Sequence, residues 1–120
     1  AIHSDFLEEI FGPAGLVLRA SSVDQMLKFA KLLPGQLTAT VHSAKEGETG
    51  VESLVSTLSR AVGRIVLNGF PTGVEVNAAM HHGGPYPAST DARFTSVGTA
   101  AIDRFLRPVA FQSIPESMIP

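Results

Sequence analysis

The 120-residue chain contains no cysteine, and only 17% of its residues are charged. Without thiols it has no disulfide scaffold, no thiolate metal site and no cysteine nucleophile within these residues. Nine basic residues against 11 acidic ones leave a formal charge of -2, so there is no broad cationic footprint for nucleic acid or an anionic membrane. No apolar run approaches the ~20 residues of a membrane span, and no signal-peptide pattern opens the chain. Gly12-Pro13-Ala14-Gly15 lacks both the spacing and the strand-to-helix setting of a dinucleotide fingerprint, and no phosphate loop ends in Gly-Lys-Ser/Thr. The charged fraction falls below the usual ~25%, which predicts a surface that is normally covered in part.

What is present is enough for one domain. A chain of this length buries roughly two-thirds of its unfolded surface and needs no staples. It begins Ala1-Ile2-His3 without an initiator methionine, which reads as the start of a processed or excised piece, or equally as a chain from which a tag or Met alone has been removed. Leu16-Val17-Leu18 is a short apolar run that suits a buried strand. Val23, Met26, Leu27, Ala30 and Leu33 then fall on one face of a helix. Ser22 with Gln25 forms a capping box at its start, and Pro34-Gly35 stops it. Residues 37–42, rich in β-branched side chains, predict a second strand. Thr49 and Glu52 read as another capping box, with Val51, Leu54, Val55, Leu58 and Val62 continuing a helix until Gly63. Ile65-Val66-Leu67 gives a third strand. This alternation predicts an α/β fold with parallel strands joined by crossover helices. Residues 70–98 form a long Gly/Pro/His-rich loop, of a length that usually serves function. A short helix over 99–106, closed by Pro108, a final strand over 109–114 and a loose tail complete the chain.

Several residue groups invite chemistry. In Glu8-Glu9-Ile10-Phe11-Gly12-Pro13 the paired carboxylates read either as solvent-facing charges or as a diol-binding group beside an aromatic that can lie against a flat heterocycle. His3, His42, His81 and His82 have no helical metal-ligand spacing and no carboxylate at a ligand offset, so loop packing is the expected role and no metal is expected. Ser89, Asp91 and Ser96 lack a nucleophile elbow or a placed base. Phe70, Val74, Val76, Met80 and Tyr86 are costly to leave wholly exposed, and are expected to line a pocket or an interface.

The order of these features resembles the C-terminal portion of the NAD(P)-dependent aldehyde dehydrogenase family. Glu8-Glu9-Ile10-Phe11-Gly12-Pro13, the alternating strands and helices, Gly63-Arg64-Ile65-Val66-Leu67-Asn68, a loop with Gly83-Gly84, and Ser96-Val97-Gly98 before a helix and a last strand carry the likeness. Asn68-Gly69-Phe70-Pro71-Thr72-Gly73-Val74-Glu75 and the segment from Ser96 to Pro108 look most like the branch acting on 2,5-dioxovalerate (α-ketoglutaric semialdehyde) and fatty aldehydes. The resemblance implies an α/β catalytic-domain portion over 1–108 and an oligomerisation strand with its tail over 109–120. Glu9 then resembles the glutamate that binds the nicotinamide ribose, and Phe11 the aromatic beside the nicotinamide. Phe70, Pro71, Thr72 and Val74 resemble part of the aldehyde entrance. The cofactor implied is NAD or NADP. The partners implied are a small-molecule aldehyde, the missing N-terminal part of the same cytoplasmic enzyme and further copies in a homo-oligomer, with no nucleic acid and no membrane. Where many relatives have Phe-Gly-Gly-x-Lys-x-Ser-Gly, this chain has His82-Gly83-Gly84-Pro85-Tyr86-Pro87. The family's catalytic cysteine, general-base glutamate and main dinucleotide-binding region are expected upstream, so these residues alone are expected to be inactive. The other reading is a non-enzymatic α/β interaction module.

Overall fold

The computed structural model describes residues 4–45 and 47–120, so His3 and the start of the chain lie outside the described residues. The fold centres on helix α1 (Val23–Ala30), strand β1 (Gln36–Val41), helix α2 (Val51–Leu58) and strand β2 (Val62–Leu67). β1 and β2 pair in parallel, with Thr38 opposite Arg64 and Val41 opposite Leu67. The α/β architecture with parallel strands follows the sequence expectation, with α2 as the crossover.

The Ser22 hydroxyl accepts from the Gln25 N–H at 3.2 Å, and Gln25 Oε1 accepts from the Ser21 N–H at 2.6 Å. The start of α1 is therefore capped in both directions. For α2 the expected capping box is replaced by Gly50, which is the N-cap residue at φ 92° without a side-chain cap. A side chain there would run into Val23 of α1, so close helix packing selects glycine. The end of α2 also differs from the sequence reading, because the helix closes at Leu58 and Val62 and Gly63 open β2. Leu58 and Val62 are both buried. A pair of buried residues four apart fits one helix face, but equally fits a helix end followed by the first inward residue of a strand.

Ala39, Val41 and Ile65 turn one sheet face toward the helices, where they pack with Ala30, Val51, Leu54, Val55 and Leu58. Among the described residues the buried apolar side chains are Ala30, Val41, Leu58 and Val62, and none is completely enclosed. Each contributes only ~1–3 kcal/mol of burial, a small core for 120 residues.

The expected strand at Leu16-Val17-Leu18 and the expected last strand over 109–114 are not strands here. Both segments are exposed, and Val17 retains 85% of its accessible surface. A strand exists by hydrogen-bonding to a neighbour, and neither segment has one among the described residues. The expected helix near residue 99 is a 3-10 helix, Thr99–Phe105, and the tail carries one further 3-10 turn, Glu116–Met118.

The shape is correspondingly open. The radius of gyration is 19.4 Å and the longest axis 68 Å, against roughly 14 Å for a compact domain of this length. The accessible surface is 9586 Å², where a compact monomer of this mass exposes roughly 6,200 Å².

Candidate functional site at the strand ends

In open parallel sheets, ligands gather at the carboxyl ends of the strands. Here that edge is closed by Asn68, the residue after β2. Its backbone N–H donates to the Val41 carbonyl at 2.9 Å, and its side-chain oxygen accepts from the Ser43 N–H at 2.8 Å. Asn68 holds φ 51° to do so, a left-handed conformation asparagine tolerates better than most residues. One residue thus ties the ends of both strands. Ser43 extends the network, its hydroxyl meeting the Lys45 carbonyl at 2.8 Å and the Glu48 carboxylate at 2.6 Å.

The chain then leaves the edge as the loop containing Phe70, Pro71, Thr72 and Val74. Phe70 is 80% exposed and lies against His42, with ring centroids 5.7 Å apart and a tilt of 53°. From β2, Arg64 reaches the same loop. Its Nη1 donates to the Gly73 carbonyl at 2.8 Å and its Nη2 to the Pro71 carbonyl at 3.3 Å. A rigid multi-donor guanidinium suits two carbonyls two residues apart.

Further along, the loop turns back to the beginning of the strands. Extra side chains at Gly35 and Gly63 would collide with the backbone of Pro85 and Gly83 respectively, so the loop lies flush on the strand starts. The buried Thr95 hydroxyl accepts from the His82 and Val97 N–H groups and donates to the Val97 carbonyl. Ser96 donates both its N–H and its hydroxyl to the His82 carbonyl. The Ser89 hydroxyl donates to the Gly84 carbonyl. These serines are engaged in holding loop backbone. Asp91 pairs with Arg93 at 2.6 Å, and hydrogen bonding to the guanidinium lowers its carboxyl pKa from 3.8 to about 2.

The other expected residues lie elsewhere. Glu9, with Glu8 and Leu7, faces Leu32, Pro34, Gln36, Leu37, Thr38 and Pro87 across a cleft of about 990 Å³. That cleft sits by the start of β1, whereas Phe70 sits at its end; the strand itself spans about 16 Å. Phe11 is 93% exposed and does not line the cleft. The described structure therefore groups Phe70, Pro71, Thr72 and Val74 in one place and Glu9 in another, and leaves Phe11 on its own. The reason is visible in the arm between them, where the hydrogen bonds are local turns, Gly12 N–H to Ile10 and Ala14 N–H to Gly12.

As a partial fit for a nicotinamide dinucleotide, the exposed Glu9 carboxylate offers two acceptor oxygens for a vicinal diol. Phe11 has the flat face but no common cavity with it. Phe70, Val76 and Tyr86, expected to line a pocket or interface, are exposed. Neither the Glu9 cleft nor a second, polar cleft of about 570 Å³ between His82 and Arg104 is lined by them. No three metal-ligating side chains lie together among the described residues. No described helix is long and apolar enough to cross a membrane. Arg64 and Asn68, the residues that shape the edge, were given no role by sequence reasoning. An arginine inside an apolar strand and an Asn-Gly directly after it are the signals that mark them.

No family model matches the chain. Individual proteins do: along nearly its whole length the chain is homologous to dehydrogenases of the aldehyde dehydrogenase family. One relative is alpha-ketoglutaric semialdehyde dehydrogenase 2 of Azospirillum brasilense, 45% identical over 115 residues, or 96% of this chain. Another is the alpha-ketoglutaric semialdehyde dehydrogenase of Acinetobacter baylyi, 46% identical over 112 residues, or 93% of this chain. The chain spans about a fifth of the length of these relatives, 22% and 21%.

Proposed function

We propose that these residues are the C-terminal part of an aldehyde dehydrogenase that oxidises α-ketoglutaric semialdehyde, or a fatty aldehyde, to the carboxylic acid with NAD or NADP. The observation that carries the reading is the identity of 45–46%, sustained across 93–96% of the chain, to two proteins named for that oxidation. In this reading Glu9 holds the nicotinamide ribose through its two carboxylate oxygens and Phe11 flanks the ring once the arm folds onto the rest of the enzyme. The bound cofactor supplies the hydride acceptor. Phe70, Pro71, Thr72 and Val74 form part of the aldehyde entrance, which fits their place at the carboxyl ends of parallel strands. The exposed segment over 109–114 pairs with another subunit, as exposed strand-like segments do. The nucleophilic cysteine belongs to a portion of the polypeptide outside these residues, since none is present among the 120.

The open shape supports the same account. A surface of 9586 Å² is roughly half as large again as a compact chain of this mass shows. Segments such as Leu16-Val17-Leu18 acquire neighbours when the rest of a parallel sheet is present. The test follows reduced nicotinamide formation with α-ketoglutaric semialdehyde and with a long-chain aldehyde. The full-length protein is expected to turn over at least one of them with NAD or NADP, and the isolated 120 residues neither. Absence of turnover by the full-length protein, or turnover by the isolated chain, overturns the reading and favours a non-enzymatic interaction module or a complete small enzyme respectively.

A further inference from the structure

We infer that Arg64 is the positioning residue of the aldehyde entrance: it grips the loop on both sides of Thr72 and so sets how an aldehyde enters. The inference rests on the proposed dehydrogenase reading for its substrate, though not for its geometry. Arg64 sits inside β2, paired opposite Thr38 of β1, so its backbone is held in the parallel sheet. Its two terminal nitrogens donate to the carbonyls of Gly73 and Pro71 at 2.8 and 3.3 Å. Those two carbonyls flank Thr72, and Phe70 and Val74 lie immediately outside them. Beside this fork, Asn68 and the Phe70–His42 contact hold the loop at the strand end among the described residues.

The same side chain is a poor stabiliser in its own right. Its Nε is buried with no hydrogen-bond partner among the described residues, which offsets part of what the fork contributes. Removing the whole guanidinium therefore removes a buried unsatisfied donor together with the fork. A role confined to stability predicts little change or a general loss. A positioning role predicts a selective effect on aldehyde binding. Lysine cannot reproduce the fork, because its single ammonium cannot span two carbonyls in fixed geometry.

The experiment uses the full-length protein with Arg64→Lys and Arg64→Met. Two readouts are taken: steady-state kinetics with α-ketoglutaric semialdehyde, and the rate of cleavage after the exposed Glu75 of the same loop by a glutamate-specific protease without ligands. Both variants are expected to raise the aldehyde KM about tenfold, near the worth of one hydrogen bond from a charged donor, with kcat and the cofactor KM within about twofold and the thermal midpoint little changed. Cleavage after Glu75 is expected to accelerate by a similar factor. Unchanged KM and cleavage in both variants, or rescue of both by lysine, overturns the inference, as does a proportional loss of kcat with a collapse in thermal midpoint. If the wild-type protein oxidises no aldehyde, the functional reading fails, and equal cleavage rates then separately refute the grip of Arg64 on the loop.

Discussion

Replacing Gly63 with alanine is expected to break the contact between the long loop and the start of β2. The added methyl would run into the Gly83 carbonyl, with the Gly83 carbonyl carbon 2.6 Å away and the Gly84 nitrogen 3.1 Å away. Ordinary contact begins near 3.4 Å, and the Gly83 carbonyl oxygen is nearer still than its carbon, so the Gly83 peptide must withdraw by more than 1 Å. It has little freedom to do so, because the neighbouring His82 is held by Thr95 and Ser96. Overpacking that backbone cannot relieve costs about 1–3 kcal/mol, and we expect about 2. Gly35 makes the equivalent contact with Pro85 and Tyr86 of the same loop, with Tyr86 O at 2.5 Å. Once either alanine has lifted the loop the other meets open space, so Gly35→Ala and Gly63→Ala together are expected to cost less than their sum by about 1 kcal/mol. Native-state hydrogen exchange at the Gln36 N–H, which bonds the Ala61 carbonyl at 2.7 Å, reads the local cost directly. An increase of about thirtyfold in opening corresponds to about 2 kcal/mol. Exchange within twofold of wild type in Gly63→Ala, or strict additivity in the double variant, would refute this account of how the loop is seated.

Two smaller predictions concern the loop's other ties. Asn68→Ala leaves the Ser43 N–H without its acceptor and places a Cβ-bearing apolar residue at φ 51°. It is expected to cost about 2 kcal/mol in urea denaturation, whereas Asn68→Asp, which keeps the acceptor, is expected to cost less than half of that. Equal losses would show that the side-chain bond contributes nothing. Asp91 has its folded pKa lowered from 3.8 to about 2 by Arg93. A depressed carboxyl contributes above its unfolded pKa, so its effect is complete at neutral pH and fades as pH falls from about 4 towards 2. A carbon-detected NMR titration is expected to place the Asp91 midpoint near 2 and to return it towards 3.8 in Arg93→Ala. The same midpoint in both proteins would contradict the assignment.

The parts of the fold legible in the sequence are those decided locally. α1 is written in its apolar spacing, in Ser22 and Gln25 at its start, and in Pro34-Gly35 beyond its end. β1 is written in a β-branched run. The start of α2 was misread because Gly50 answers to Val23, a contact across 27 residues that no local capping signal reveals. Its end was misread because Leu58 and Val62 satisfy helix and strand burial equally. Leu16-Val17-Leu18 and residues 109–114 carry the composition of strands, but a strand needs a neighbour that the described residues do not supply. Of the candidate site, the sequence shows which residues are neighbours along the chain. Phe70, Pro71, Thr72 and Val74 were picked out as one loop and are one loop at the sheet's carboxyl edge. The residues that fix that loop, Arg64 and Asn68, act through distances that only the folded chain displays. Glu9 and Phe11 are expected on one nicotinamide and lie on an arm where the hydrogen bonds around them, Gly12 to Ile10 and Ala14 to Gly12, are local turns.

The central claim is that these residues are one portion of a larger catalytic fold, with surfaces that the rest of the enzyme and a second subunit cover. Hydrogen exchange at residues 16–18 and 109–114, compared between the isolated 120 residues and the full-length protein, tests it most directly. The account predicts rapid, unprotected exchange in the isolated chain and strong protection of both segments in the full-length protein. Equally rapid exchange of both segments in the two proteins would contradict it.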